Sequence, residues 1–154
     1  MTTFERILSE LGEGLGIDLA PGSDGVAEVA AEGRIVLLKA DETGEREVLV
    51  FATVATAPAG GFPAETLRAA LELDLFGRDV AGHHLGLFAG SLLLSATLPL
   101  EGLSAEALAD RILVLARLAG QLSGRLAGQS SERPAAPPPA EPGAVAGGDG
   151  FIAV

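Results

Sequence analysis

The chain has 154 residues, enough for one domain with a tail, and 48% of them are hydrophobic. It carries 21 acidic and 10 basic residues, and this net charge of -11 argues against binding nucleic acid or an anionic membrane surface. The absence of cysteine excludes disulfides, thiolate metal sites and cysteine nucleophiles. Residues 1–10 lack the apolar stretch of a signal peptide, so we expect a cytoplasmic protein.

The first predicted elements are one helix and three strands. Thr2 and Glu5 form a capping box before apolar residues at helical spacing, and Gly14 and Gly16 end that pattern. The strands are predicted at residues 26–31, 34–40 and 47–56. Both faces of these strands are apolar, although a small antiparallel sheet usually exposes one face to water. We therefore expect that something covers both faces.

A second helix and a hairpin follow. Pro63 suits the first position of the helix, and Gly77 is predicted to end it. The hairpin strands are predicted at residues 84–88 and 92–98. Residues 80–100 carry no charged side chain and are long enough to span a bilayer, but three glycines, two histidines and a proline favour the hairpin.

The third predicted helix begins after Ser104, a candidate N-cap. Its apolar stripe is widened by Leu113, Val114 and Leu118, which predicts that the helix is deeply buried. The order α-β-β-β-α-β-β-α indicates an α+β domain over residues 1–127, with an antiparallel sheet and three helices.

Residues 128–154 have a different composition, since residues 134–142 hold five of the nine prolines. Such a segment does not bury enough apolar surface to order itself, so we predict a disordered tail. Its last residues, 150–154, are mostly apolar. A frayed end is the simpler interpretation, and a docking peptide that adds a strand to a sheet is the alternative.

Candidates for catalysis are few. His83 and His84 are the only histidines, and neighbours in a strand point to opposite faces, so they do not easily share one ion. A zinc site needs three or four ligands, and neither a phosphate-binding loop nor a serine nucleophile elbow is present. We therefore expect no enzymatic activity, metal or cofactor, and we expect binding through apolar surface instead.

Residues 67–77 resemble helix 2 of the class I chaperones of bacterial type III secretion systems, the Tir/CesT-like and SycE-like chaperones, which ends in a similar Phe-Gly run. The predicted hairpin strands, residues 84–87 and 92–95, follow in the order seen in that family. Residues 98–100 and 103–108 resemble the start of its last helix. The resemblance covers about residues 2–127.

This resemblance implies a homodimer in the bacterial cytoplasm. The dimer would bind the extended N-terminal segment of a secreted effector and keep it soluble and export-competent, without nucleotide or metal. The export apparatus is a further candidate partner. Three alternatives stay open: a regulatory adaptor that binds a transcriptional regulator or export component, a dimeric scaffold without a peptide client, and a small enzyme using His83, His84 and Asp79.

Two groups of apolar residues are candidates for binding sites. The candidates for the effector-facing patches are Phe4, Leu8, Leu11, Ile35, Leu37, Val48 and Val50. The candidates for the dimer interface are Leu67, Leu71, Leu75, Leu85, Leu87, Leu92 and Leu94. The alternative for each residue is a place in the core, because periodicity does not show which apolar face the chain itself covers.

Overall fold

The computed structural model describes the backbone of residues 1–76 and 83–132, and the side chains of residues 1–75 and 83–128. Three helices and five strands follow one another in this part of the chain: α1 (Thr3–Leu15), β1 (Val26–Ala31), β2 (Arg34–Ala40), β3 (Glu47–Thr56), α2 (Ala64–Phe76), β4 (His84–Phe88), β5 (Ser91–Pro99) and α3 (Ala105–Glu132). The predicted order and the α+β class are confirmed.

Side-chain caps explain where α1 and α3 begin. The Thr2 hydroxyl accepts a hydrogen bond from the Glu5 N–H at 3.2 Å, and the Glu5 carboxylate accepts one from the Thr2 N–H at 2.7 Å. This capping box satisfies N–H groups that the first helical turn leaves without intrahelical partners. The Ser104 hydroxyl caps α3 in the same way, by accepting from the Ala107 N–H at 3.1 Å.

The structure describes the C-terminal end of α3 but not the residue predicted to end α2. Helix α3 continues to Glu132, beyond the predicted domain end at residue 127. Gly77, the predicted end of α2, and residues 133–154 of the predicted tail lie outside the described residues.

The five strands form one antiparallel sheet in the order β1-β2-β3-β5-β4. Its outermost described strands are therefore β1 and β4. The register shifts between Thr53 and Ala55, where β3 pairs with β5. Arg34 Nη1 donates to the Thr53 carbonyl oxygen at 2.7 Å, so a side chain from β2 holds the backbone at this irregularity.

Helix α3 lies across one face of the sheet, and α1 and α2 pack against α3. Alternate residues of β3, such as Val48 and Val50, point into the resulting core, which consists of Leu, Val, Ile, Ala and one Phe. Each fully buried aliphatic side chain contributes about 1.5–3 kcal/mol of transfer free energy. The predicted deep burial of α3 is wrong on one side, because Leu113 and Val114 are 37% and 47% exposed.

Candidate functional site

Most residues predicted to face an effector lie in the core instead. Five of them are at most 4% exposed: Phe4, Leu8, Leu11, Val48 and Val50. A peptide cannot reach these side chains without opening the packing between the helices and the sheet. We therefore assign them to the core and correct the prediction. The helical and strand spacings correctly marked a buried face, but that face is covered by the chain itself.

Ile35 and Leu37 of β2 lie on the opposite face of the sheet, which we call the outer face. Ile35 is 56% exposed and Leu37 is half-buried. The outer face holds a groove of about 580 Å³. Its apolar lining residues are Val26, Leu37, Leu49, Phe51, Leu87, Phe88 and Leu93. All five strands contribute, and among the described residues no helical side chain lines it.

The sequence analysis missed several residues of this groove. Phe51 pairs with Leu37 on one neighbouring strand and with Ser95 on the other, so it lies at the middle of the sheet. Leu49 and Phe88 are 39% and 72% exposed. The signal that could have found these residues was the apolar character of both strand faces, which required a second covered surface in addition to the core.

Charged side chains lie beside these apolar residues. Asp24 and Glu28 line the groove on the β1 side. Lys39, the only lysine in the chain, lines it between its cross-strand neighbours Val26 and Leu49. An occupant of this groove therefore meets a largely apolar floor with one ammonium group and two carboxylates.

The residues predicted for a dimer interface also divide between surface and core. Leu71, Leu75 and Leu87 are 70%, 78% and 57% exposed, and Leu67 and Leu85 are half-buried. A second groove of about 230 Å³ lies between α2 and β4 and is lined by Leu67, Ala70, Leu71, Leu85, Gly86, Leu87 and Leu92.

Two residues of the predicted dimer interface need correction. Leu92 and Leu94 are 3% and 0% exposed, because their side chains in β5 point to the face that α3 covers. Leu92 reaches only the floor of the α2–β4 groove. Leu94 belongs to the core.

A polar contact joins α2 to β4. Asp74 Oδ1 accepts a hydrogen bond from the Leu85 N–H at 2.8 Å, which satisfies a backbone donor at the start of the strand. The same oxygen lies 3.9 Å from Nδ1 of the exposed His84. Asp79, the third residue of the enzyme hypothesis, lies outside the described residues. The described residues hold no group of three or more histidine, aspartate or glutamate side chains arranged to bind a metal ion.

Within residues 1–76 and 83–132, no helix is long and apolar enough to cross a membrane. The uncharged apolar segment instead contains the predicted hairpin, in which β4 and β5 pair and a turn at Ala89 and Gly90 connects them. Both turn residues have positive φ, 48° and 75°, as tight two-residue hairpin turns require.

Comparisons with solved structures identify similar folds. The chain is similar to a chain of the ExsC–ExsE complex, at 17% identity and a TM-score of 0.64, covering 82% of this chain and 97% of that one. A chain of the HopA1–SchA chaperone–effector complex has 21% identity, a TM-score of 0.54 and coverages of 79% and 91%. A chain of the Yersinia pestis complex of the type III secretion chaperone SycH with a YscM2 fragment has 19% identity and a TM-score of 0.51. That match covers 81% of this chain and 98% of the other.

No curated protein matches the chain. The model of the Tir chaperone protein (CesT) family matches residues 6–123, from the first turns of α1 to the last third of α3. The match therefore includes the whole described sheet, the residues of both grooves, α2, and most of α1 and α3. With most of its length matched in this way, the chain belongs to the Tir chaperone protein (CesT) family.

Proposed function

We propose that this protein is a type III secretion chaperone that binds the extended N-terminal segment of an effector and keeps it soluble and export-competent. The observation that carries the proposal is the open apolar groove on the outer face of the sheet, in a member of the Tir chaperone family. Similar folds in chaperone–effector complexes support the same conclusion.

The groove suits an extended peptide better than a folded domain. Successive side chains of an extended chain alternate in direction. Apolar residues at every second position of the ligand can therefore pack between Leu49, Phe51 and Leu93. Each such side chain gains about 1.5–3 kcal/mol when its surface leaves water. The outermost strand β1 also offers backbone groups to a ligand strand.

A second copy of the chain is the proposed partner at the other end of the sheet. Leu71 and Leu75 on α2 and Leu87 on the outermost strand β4 form an exposed apolar surface. In a two-fold dimer the same surface meets itself, so these leucines would cover one another. Because Leu37, Leu49 and Phe51 lie on more central strands, each protomer keeps most of its outer-face groove for the effector.

In this proposal the protein is a non-enzymatic binding protein of the bacterial cytoplasm, where the effector waits in a non-globular state before export. The proposed domain includes α3 up to Glu132. The export apparatus is the proposed next partner, because the bound effector has to be handed to it.

The first test is to isolate the tagged protein from its own cells under secretion-inducing conditions and to measure its native mass. We expect two copies of the 15.5 kDa chain with one larger protein. Limited proteolysis should then leave only an N-terminal segment of that larger protein protected. A bare monomer or dimer under these conditions would contradict the proposal.

The second test locates the binding face with a peptide copied from the protected segment. The double variant Leu49→Ser and Phe51→Ser changes the outer face, whereas Leu113→Ser and Val114→Ser change exposed apolar residues of α3. We expect the first variant to weaken peptide binding at least about a hundredfold, since two apolar contacts are lost, and the second to bind normally. Equal binding by both would exclude the outer face.

A further inference from the structure

The only lysine of the chain lies in the groove of the outer face. Lys39 is exposed, and its cross-strand neighbours Val26 and Leu49 are apolar. The groove is therefore an open apolar surface with one positive charge, which β2 contributes, and carboxylates at its β1 side. A short apolar segment that carries one acidic residue has the complementary chemistry.

The chain itself contains such a segment beyond α3. Residues 151–154 read Phe-Ile-Ala-Val, and Asp149 precedes them. In an extended conformation side chains two residues apart point the same way, so Asp149 and Phe151 would face one side together. Phe151 would then enter the groove while the Asp149 carboxylate meets the Lys39 ammonium group.

The length of the intervening chain allows this contact. An ion pair of 3.0 Å between Arg117 Nη2 and Glu32 Oε1 places the middle of α3 beside the β1–β2 turn. From Arg117 the helix continues for fifteen residues, about 22 Å, to Glu132. The eighteen residues 133–150 then span up to about 60 Å when extended.

The required path is shorter than that span. The path returns along α3 for about 22 Å, goes around the edge of the sheet to its outer face for about 10 Å, and follows β2 from the turn to Lys39 for about 20 Å, which is about 52 Å in total. A tether of this length holds its end at an effective concentration of about 1 mM. A segment that binds with a Kd of about 0.1 mM when free would thus occupy the groove about nine-tenths of the time.

We propose that residues 151–154 dock in the outer-face groove beside Lys39 and are displaced when an effector binds. The inference rests on the proposed function, because the tail and the effector use the same face. Docking covers Leu49, Phe51 and Leu93 while no effector is present, which protects the free chaperone from self-association through that face.

The test uses the single lysine as a probe in the full chain. A limiting amine-acylating reagent is added, and mass spectrometry measures the rate of Lys39 acylation. The double variant Phe151→Ser and Ile152→Ser should be acylated about tenfold faster than the unaltered chain, given occupancy of about nine-tenths. The control Val145→Ser changes an apolar tail residue outside the docking segment and should react at the unaltered rate.

Two results would overturn the inference. Equal acylation rates in the unaltered chain and the double variant mean that the segment does not cover Lys39. Protection that disappears upon about a hundredfold dilution assigns the groove to a second copy, since intramolecular docking is independent of concentration. The effector peptide distinguishes the two proposals: if the double variant binds it at least as tightly as the unaltered chain, the chaperone function stands whatever the acylation result.

Discussion

Leu93 and Leu94 are adjacent in β5 and point to opposite faces of the sheet. Leu94 is 0% exposed and packs in the core, whereas Leu93 lines the groove of the outer face. The two residues are therefore a matched pair of identical chemistry, in which one supports the fold and the other is available for binding.

Replacement of this pair should separate stability from binding. Leu94→Ala is expected to lower the free energy of unfolding by about 2–5 kcal/mol, because it leaves a cavity in the core. Leu93→Ala should lower it by about 1 kcal/mol or less, since the side chain is only half-buried. Urea unfolding followed by far-UV circular dichroism measures both values. Similar losses in the two variants would contradict the assignment of the two faces.

The exposed leucines of α2 should control dimer formation. Leu71→Glu with Leu75→Glu places charge on a surface that a second copy would cover, and the dimer Kd should rise at least about a hundredfold. The comparison is Leu113→Glu with Val114→Glu on α3, whose residues are also exposed. Analytical ultracentrifugation should show monomer for the first variant and dimer for the second. The reverse result would move the interface to α3.

Arg34 should contribute more stability than an ordinary surface arginine. Its Nη1 donates to the Thr53 and Val54 carbonyl oxygens at 2.7 and 3.4 Å in a partly buried position. Arg34→Met removes this donor and should cost about 1–3 kcal/mol of unfolding free energy. Arg117→Met breaks only the exposed ion pair with Glu32 and should cost about 0–1 kcal/mol. Equal effects would show that the irregularity in β3 does not depend on Arg34.

The contact between α1 and the β2–β3 turn should make stability depend on pH. The Thr3 hydroxyl and then the Thr3 N–H donate to the Glu45 carboxylate, which lowers the pKa of Glu45 below its ordinary value of 4.5. Because the folded-state pKa is the lower one, the stabilisation is present above about pH 4.5 and is lost as the pH falls through the folded-state value.

A single substitution tests this dependence. Glu45→Gln should lower the Tm at pH 7, and the difference from the unaltered chain should be smaller at about pH 3, below the ordinary pKa of glutamate. Glu42→Gln changes the net charge equally within the same turn and serves as the control. Thermal unfolding at both pH values measures the effect, and a difference that grows at low pH would contradict the assigned direction.

Most of the fold was predictable from local signals. The three strands β1 to β3 have the predicted bounds, because glycine-containing turns separate runs of strand-forming residues; Gly33 and Gly44 adopt positive φ there. Capping by Thr2 and Ser104 set the starts of two helices. The sequence analysis ended the domain at residue 127, but α3 continues to Glu132. Gly128 does not end the helix, and no proline occurs between residues 127 and 134.

The candidate site was predictable only in part. Of the residues predicted to face an effector, Ile35 and Leu37 lie on the outer face. Val48 and Val50 are buried, whereas their neighbours Leu49 and Phe51 line the groove. In β3 both alternating sets are apolar, so the period of two defines two faces without indicating which one is buried.

The sequence by itself determined the elements, their order and the need for a second apolar contact surface, because capping, turn and periodicity signals act over a few residues. The tertiary structure alone decided which face is the core. That choice depends on where α3 packs, and α3 lies far along the chain from β2 and β3. By covering the face of Val50 and Leu94, α3 leaves the face of Phe51 and Leu93 open for a partner.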